Sequence, residues 1–168
     1  MIGVQMHLMV VALLPIIVIE ASVLRLKLDV PVEHALVGAS LSNALSTFVG
    51  IPLAWLTLVF AEMAATDGGQ AWGLETPLLK VAAVTVQAPW LIPYENDLYW
   101  MVPAASLVLL VPCFAVSVVV EAWTLSRLWP TTDRKRIWGA TWVANLLSYA
   151  LLFAYAAIRL CQALGARS

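Results

Sequence analysis

Apolar residues run almost unbroken through four stretches of this chain, at about Val4–Leu24, His34–Phe60, Leu98–Leu125 and Ile137–Leu160, with polar positions gathered between them. A helix needs about 20 apolar residues to cross a hydrocarbon core of about 30 Å, and each stretch reaches that length. The pattern predicts an all-α integral membrane protein with four transmembrane helices. Pro15, Pro52, Pro103 and Pro112 fall inside the first three. Each removes a backbone donor and tends to kink its helix, which membrane helices tolerate more readily than soluble ones.

The segment between the second and third stretches is the one long connection. Thr76-Pro77 reads as a helix start, Leu78–Gln87 as a short interfacial helix, and Pro89 and Pro93 as its end. Trp72, Trp90, Tyr94, Tyr99 and Trp100 cluster around it, as expected where amphipathic rings settle at headgroup level. Residues 1–62 and 98–168 then form two helical hairpins, joined by an aromatic-rich loop over 63–97.

Inside the apolar stretches, a polar signature occurs twice. Glu20-Ala21 is followed by Asn43 and Ser46, and Glu121-Ala122 by Asn145 and Ser148, at almost the same separation. That spacing spans the end of one helix, a short loop and the first turns of the next, so the pattern predicts two hairpin repeats running in the same direction. Any twofold axis relating such parallel repeats runs along the membrane normal. Small residues extend the match: Gly38, Ser42, Ser46 and Gly50 recur at intervals of four, with Ala140, Ala144 and Ser148 in register. Such stripes let helices approach closely in lipid, which marks Gly38, Ser42, Gly50, Ala140 and Ala144 as packing positions.

Depth places the polar groups together. At about 1.5 Å per residue, Glu20 and Glu121 lie about 7–9 Å inside the helix ends marked by Arg25 and Arg127, and Asn43 and Asn145 lie roughly 12 Å in from the same side. All should share one layer, with each Asn donating to the Glu of its own hairpin and Ser46 or Ser148 adding a second contact beside it. Ionisable groups inside membrane spans are costly and mark functional sites by default. If the two carboxylates converge, a shared proton or a cation between them offsets their repulsion. The competing expectation is that each Glu reaches outward to Arg25 or Arg127 and the Asn-x-x-Ser groups merely fasten helices.

Composition agrees with the pattern: 62% of residues are hydrophobic, 11% are charged, and mean hydropathy is +0.91. A net charge of −1 favours neither a nucleic-acid partner nor tethering to acidic lipid. The loops carrying Arg25, Lys27, Arg127, Arg134, Lys135 and Arg136 hold six of the nine basic residues, which predicts those loops in the cytoplasm and both termini outside. With no cleavable leader evident, the default location is a cell inner membrane, multi-pass. Cys113 and Cys161 fall at depths of about 20 and 36 Å, too far apart for a disulfide.

The expected function is binding or translocation of a proton or small cation by Glu20, Glu121, Asn43, Asn145, Ser46 and Ser148. The alternative is a non-catalytic accessory or assembly subunit of a larger membrane protein complex; on either reading the expected partners are the lipid bilayer and further copies of the chain or another membrane protein. Catalysis is disfavoured, since no nucleophile, phosphate loop, metal or cofactor motif joins the carboxylates, and no cofactor is specified. His7 and Glu62, near the opposite helix ends, form a weaker candidate pair, and Ser117, Thr124 and Thr141 are expected to bond within their own helices.

Overall fold

A computed structural model describes residues 2–66, 76–86 and 98–165; of the helical residues 2–12, 55, 62, 65, 66 and 98 the backbone alone is described. The described residues form five helices and no strand: α1 (Ile2–Leu28), α2 (Val32–Thr66), α3 (Pro77–Val86), α4 (Leu98–Leu128) and α5 (Arg134–Gly165). Three contain segments long and apolar enough to cross a membrane, Val32–Ala61, Tyr99–Leu128 and Arg134–Gly165. The remaining long helix, α1, has 27 residues. All four internal prolines lie within continuous helices.

The helices are longer than their apolar stretches because their polar ends are also helix-compatible. Glu33 sits in the first turn of α2, where an acidic side chain complements the helix dipole, and Arg25 and Lys27 sit in the last turn of α1. The reversals between them are short and specific. Asp29 takes a left-handed conformation (φ 56°) and its N–H donates to Arg25 O at 3.0 Å, closing α1. Pro31 follows, and its carbonyl accepts from Ala35 N at 3.0 Å to open α2. At the other reversal, Asp133 Oδ1 accepts from Lys135 N at 3.2 Å, an N-cap for α5. Arg136 then reaches from α5 to donate to Lys27 O at 3.0 Å, satisfying a carbonyl at the end of α1.

The chain divides into two compact units, one comprising Met1–Gly50 with Phe114–Ala150, the other Ile51–Cys113 with Leu151–Ser168. In the first, Ala21, Leu24 and Leu28 of α1, Ala35 and Ala39 of α2, Leu125 of α4, and Ile137 and Ala140 of α5 form one cluster. The buried positions of α2 (Ala35, Gly38, Ala39, Ser42, Asn43, Ser46) recur at identical spacing in α5 (Ile137, Ala140, Thr141, Ala144, Asn145, Ser148). Gly38 is the tightest of them. A Cβ there would stand 2.7 and 2.8 Å from the Trp129 ring and 3.1 Å from Leu125, so only glycine admits Trp129. Gly50 lies one turn beyond Ser46, and a Cβ there would meet nothing within 4 Å among the described residues.

In the second unit α3 begins where Thr76-Pro77 predicts. Thr76 Oγ1 accepts from Leu79 N at 3.3 Å. The helix does not lie free on a surface, for Ala83, Val84 and Thr85 are buried and Val84 packs with Met101, Ala105 and Trp100 at the start of α4. Tyr99 is exposed, while Trp72, Trp90 and Tyr94 lie outside the described residues. Cys113 is half-buried and Cys161 exposed, both as free thiols.

Candidate functional site

Glu20 on α1 and Glu121 on α4 are each only 2% exposed, although both occupy helices whose outer faces carry large apolar side chains such as Leu14, Val18, Val111 and Val119. Burying a carboxylate without partners is prohibitive, and here every carboxyl oxygen has one. Asn43 Nδ2 donates to Glu20 Oε2, and Asn145 Nδ2 donates to Glu121 Oε2 at 2.7 Å. Ser148 Oγ donates to Glu20 Oε1 at 2.7 Å, and Ser46 Oγ to Glu121 Oε1 at 2.9 Å. The six side chains form one layer.

The asparagines act within their hairpins, but the serines cross. Asn43 binds the glutamate of its own helix pair while Ser46, on the same helix, binds that of the other, and Asn145 and Ser148 do the converse. The spacing explains it. Residues three apart on a helix differ by about 60° in direction and about 4.5 Å in height, so Asn43 faces α1 when Ser46 faces α4. The expectation that each serine would assist its own hairpin's glutamate is therefore corrected.

Each donor is also tied to its own helix. Asn43 Nδ2 bonds Ala39 O at 2.9 Å and Asn145 Nδ2 bonds Thr141 O at 3.2 Å, so both hydrogens of each amide are used. Ser46 Oγ lies 3.1 Å from Asn43 O, and Ser148 Oγ 3.1 Å from Asn145 O. On the acceptor side one group is left over: Asn145 Oδ1, wholly buried, has no partner. An unpaired buried acceptor costs about 1–3 kcal/mol.

The arginines lie elsewhere. Arg25 is exposed, Arg127 stacks over Trp123 at 5.2 Å from its ring centroid, and Arg136 is engaged with Lys27 O. Among the described residues no Lys or Arg pairs with Glu20 or Glu121; the two carboxyl groups instead meet the same two helices, each bonded by one residue of α2 and one of α5. The layer has no group of three or more His, Cys, Asp or Glu of the kind that holds a metal ion, and none occurs among the described residues. A groove of about 500 Å³ in this unit is lined by Leu41, Ala44, Leu45, Phe48, Thr124 and Leu128, and no residue of the layer lines it.

Ser42 and Ala144 are buried beside the layer, Ser42 Oγ donating to Ala39 O at 3.2 Å. Thr124 and Thr141 bond Val120 O and Ile137 O within their helices at 2.7 and 2.9 Å. Ser117, expected to do likewise, meets Tyr149 Oη at 2.9 Å instead. Phe114 adds edge contacts to Tyr149 and Trp142, with centroids 5.4 and 5.9 Å away. This α4–α5 strap had a signal in the chain: Ser117 is four residues before Glu121, and Tyr149 four after Asn145, which places each one turn from the layer. The side chains of His7 and Glu62 lie outside the described residues.

No protein-family model matches the chain, and no curated protein or solved structure is similar to it.

Proposed function

We propose that this chain is a four-span membrane protein made of two repeated hairpins, and that the layer of Glu20, Glu121, Asn43, Asn145, Ser46 and Ser148 binds or translocates a proton or small cation. The observation that carries this reading is the meeting of two buried carboxyl groups, surrounded by neutral donors and paired with no described cation. Two carboxylates in a low dielectric repel strongly, and a positive charge between them removes that cost. The matched burial of α2 and α5, and bonds repeated atom for atom, support the hairpin duplication. Exposed Phe48, Phe153, Tyr155 and Ile158 beside buried Glu, Asn and Ser support placement in lipid, with α1 as the fourth span. The basic loops favour a cytoplasmic position for the layer's end of the bundle and an inner membrane with both termini outside.

Proteoliposomes test this directly. Glu20→Gln and Glu121→Gln should each abolish pH- or ion-driven flux while leaving the protein folded; unchanged flux and unchanged binding in both variants would reject the reading.

The crossed serine bonds favour a second reading, in which the layer only fastens the hairpins of an accessory subunit in a larger membrane complex. Native mass spectrometry after mild detergent extraction separates the two. A stable heterologous partner supports the accessory role, and a monomer or homo-oligomer carrying ion-dependent flux argues against it.

A further inference from the structure

The donors and acceptors of the layer do not balance. All six donor hydrogens are committed: two from each asparagine amide and one from each serine. Acceptors remain. Each carboxyl oxygen has a second lone pair, and the buried Asn145 Oδ1, on the side chain whose amide is bonded to Glu121, has no partner at all. The layer is short of hydrogens.

A metal cation would meet the wrong atoms. Both asparagines turn their amide hydrogens toward the carboxylates, and neither amide is free to reverse, because its second hydrogen is held by the carbonyl four residues back. A hard cation of the Mg2+ or Ca2+ type takes six or so oxygen ligands, whereas here donor hydrogens occupy one position on each carboxyl oxygen.

The serines differ from the asparagines in one respect. Each hydroxyl has a single hydrogen and two acceptors in reach: the carboxylate of the opposite hairpin at 2.7–2.9 Å, and its own helix carbonyl at 3.1 Å. It can serve the carboxylate while that group is ionised and swing to the carbonyl when the carboxyl gains its own hydrogen, then accepting from the carboxyl O–H. Every donor hydrogen of the layer keeps an acceptor in both states without any change of helix position.

Resting on the reading above and narrowing it, we propose that the occupant is a proton shared by Glu20 and Glu121, and that Ser46 and Ser148 are positioning residues whose hydroxyls re-aim when it binds. The proton arrives from water and returns to water, taking the layer's charge from −2 to −1 and then to 0. From α1 and α4 the two carboxyls face each other, and from α2 and α5 they face only Asn43, Ser46, Asn145 and Ser148; no other described titratable or charged group faces them. Because each serine crosses to the other hairpin, protonation of either glutamate is felt by both.

Infrared difference spectroscopy of the full-length protein in lipid, titrated with pH in H2O and D2O, tests the proposal. The expected result is a carboxylic C=O band that moves to lower wavenumber in D2O. It should weaken in Glu20→Gln or Glu121→Gln, disappear in the double variant, and ignore replacement of choline chloride by NaCl or CaCl2. Ser46→Ala and Ser148→Ala, which preserve both carboxyls, should hold the band to more alkaline pH by withdrawing a donor from the ionised form, whereas Thr124→Ala should not. If the serine variants titrate as wild type, their proposed role is overturned. A spectrum with no acid band but with carboxylate bands that shift on adding NaCl or CaCl2 overturns the proton and retains an ion-binding layer. A spectrum with neither response rejects both the proton and the underlying reading.

Discussion

The two hairpins make the same bonds around their glutamates but fit together differently just beneath them. Trp129, in the reversal of the second hairpin, lies against α2 at Gly38, where even a methyl group would clash. At the matching place in the first hairpin stands Leu28, which shares a core cluster with Ala140, the counterpart of Gly38. A larger ring on one side is answered by a missing methyl on the other. Packing volume is conserved across the pair while residue identity is not, as expected where cores are filled to crystal-like density. The polar layer shows the opposite behaviour: its six groups match in type and atom, because a hydrogen bond to a buried carboxylate tolerates no substitution by volume alone.

This contrast breaks most easily at Gly38. Gly38→Ala should cost about 1–3 kcal/mol, the usual penalty of overpacking, and Trp129→Leu in the same chain should recover most of it; thermal unfolding in detergent measures both. Ala140→Gly should cost about 1–2 kcal/mol, from helix propensity and one lost buried methyl, and Trp129→Leu should not recover it. Failure of Trp129→Leu to recover the loss at Gly38 would show that the reversals are not what distinguishes the hairpins.

A smaller effect sharpens the likeness. Double-mutant cycles between Ser46 and Glu121, and between Ser148 and Glu20, should give coupling of about 1 kcal/mol, while Ser46 with Glu20 and Ser148 with Glu121 should give close to zero. Coupling confined to residues of the same hairpin would refute the crossed arrangement. Smallest of all is the cap at the end of α1. Arg136→Ala should cost about 0.3–1 kcal/mol and less at high salt, since it removes one cationic donor from a helix C-terminus. His34, at the matching position of α2, is exposed, and His34→Ala should change unfolding little.

That the six polar groups share one layer was legible in the chain, because helix rise converts residue counts into height with little error. Glu20 with Asn43 and Glu121 with Asn145 follow from that height and from the short reversals. The helix ends at Glu33 and Arg134–Arg136 ran beyond the hydropathy boundaries because charge interrupts an apolar stretch without interrupting a helix. The burial of α3 against Met101 was not legible, since a short apolar helix reads alike whether it faces lipid or protein.

By itself the sequence determined a bundle of long apolar helices, the short loops that pair them, and a height at which six polar side chains must sit. These are local matters of hydropathy, turn chemistry and a constant rise per residue. Only the tertiary structure decided that the glutamates face each other rather than Arg25 and Arg127, and that Ser46 and Ser148 serve opposite hairpins. Those outcomes depend on how the helices are rotated about their axes. Rotation is set by side chains meeting across the bundle, Trp129 over Gly38 among them, and no single helix contains that information.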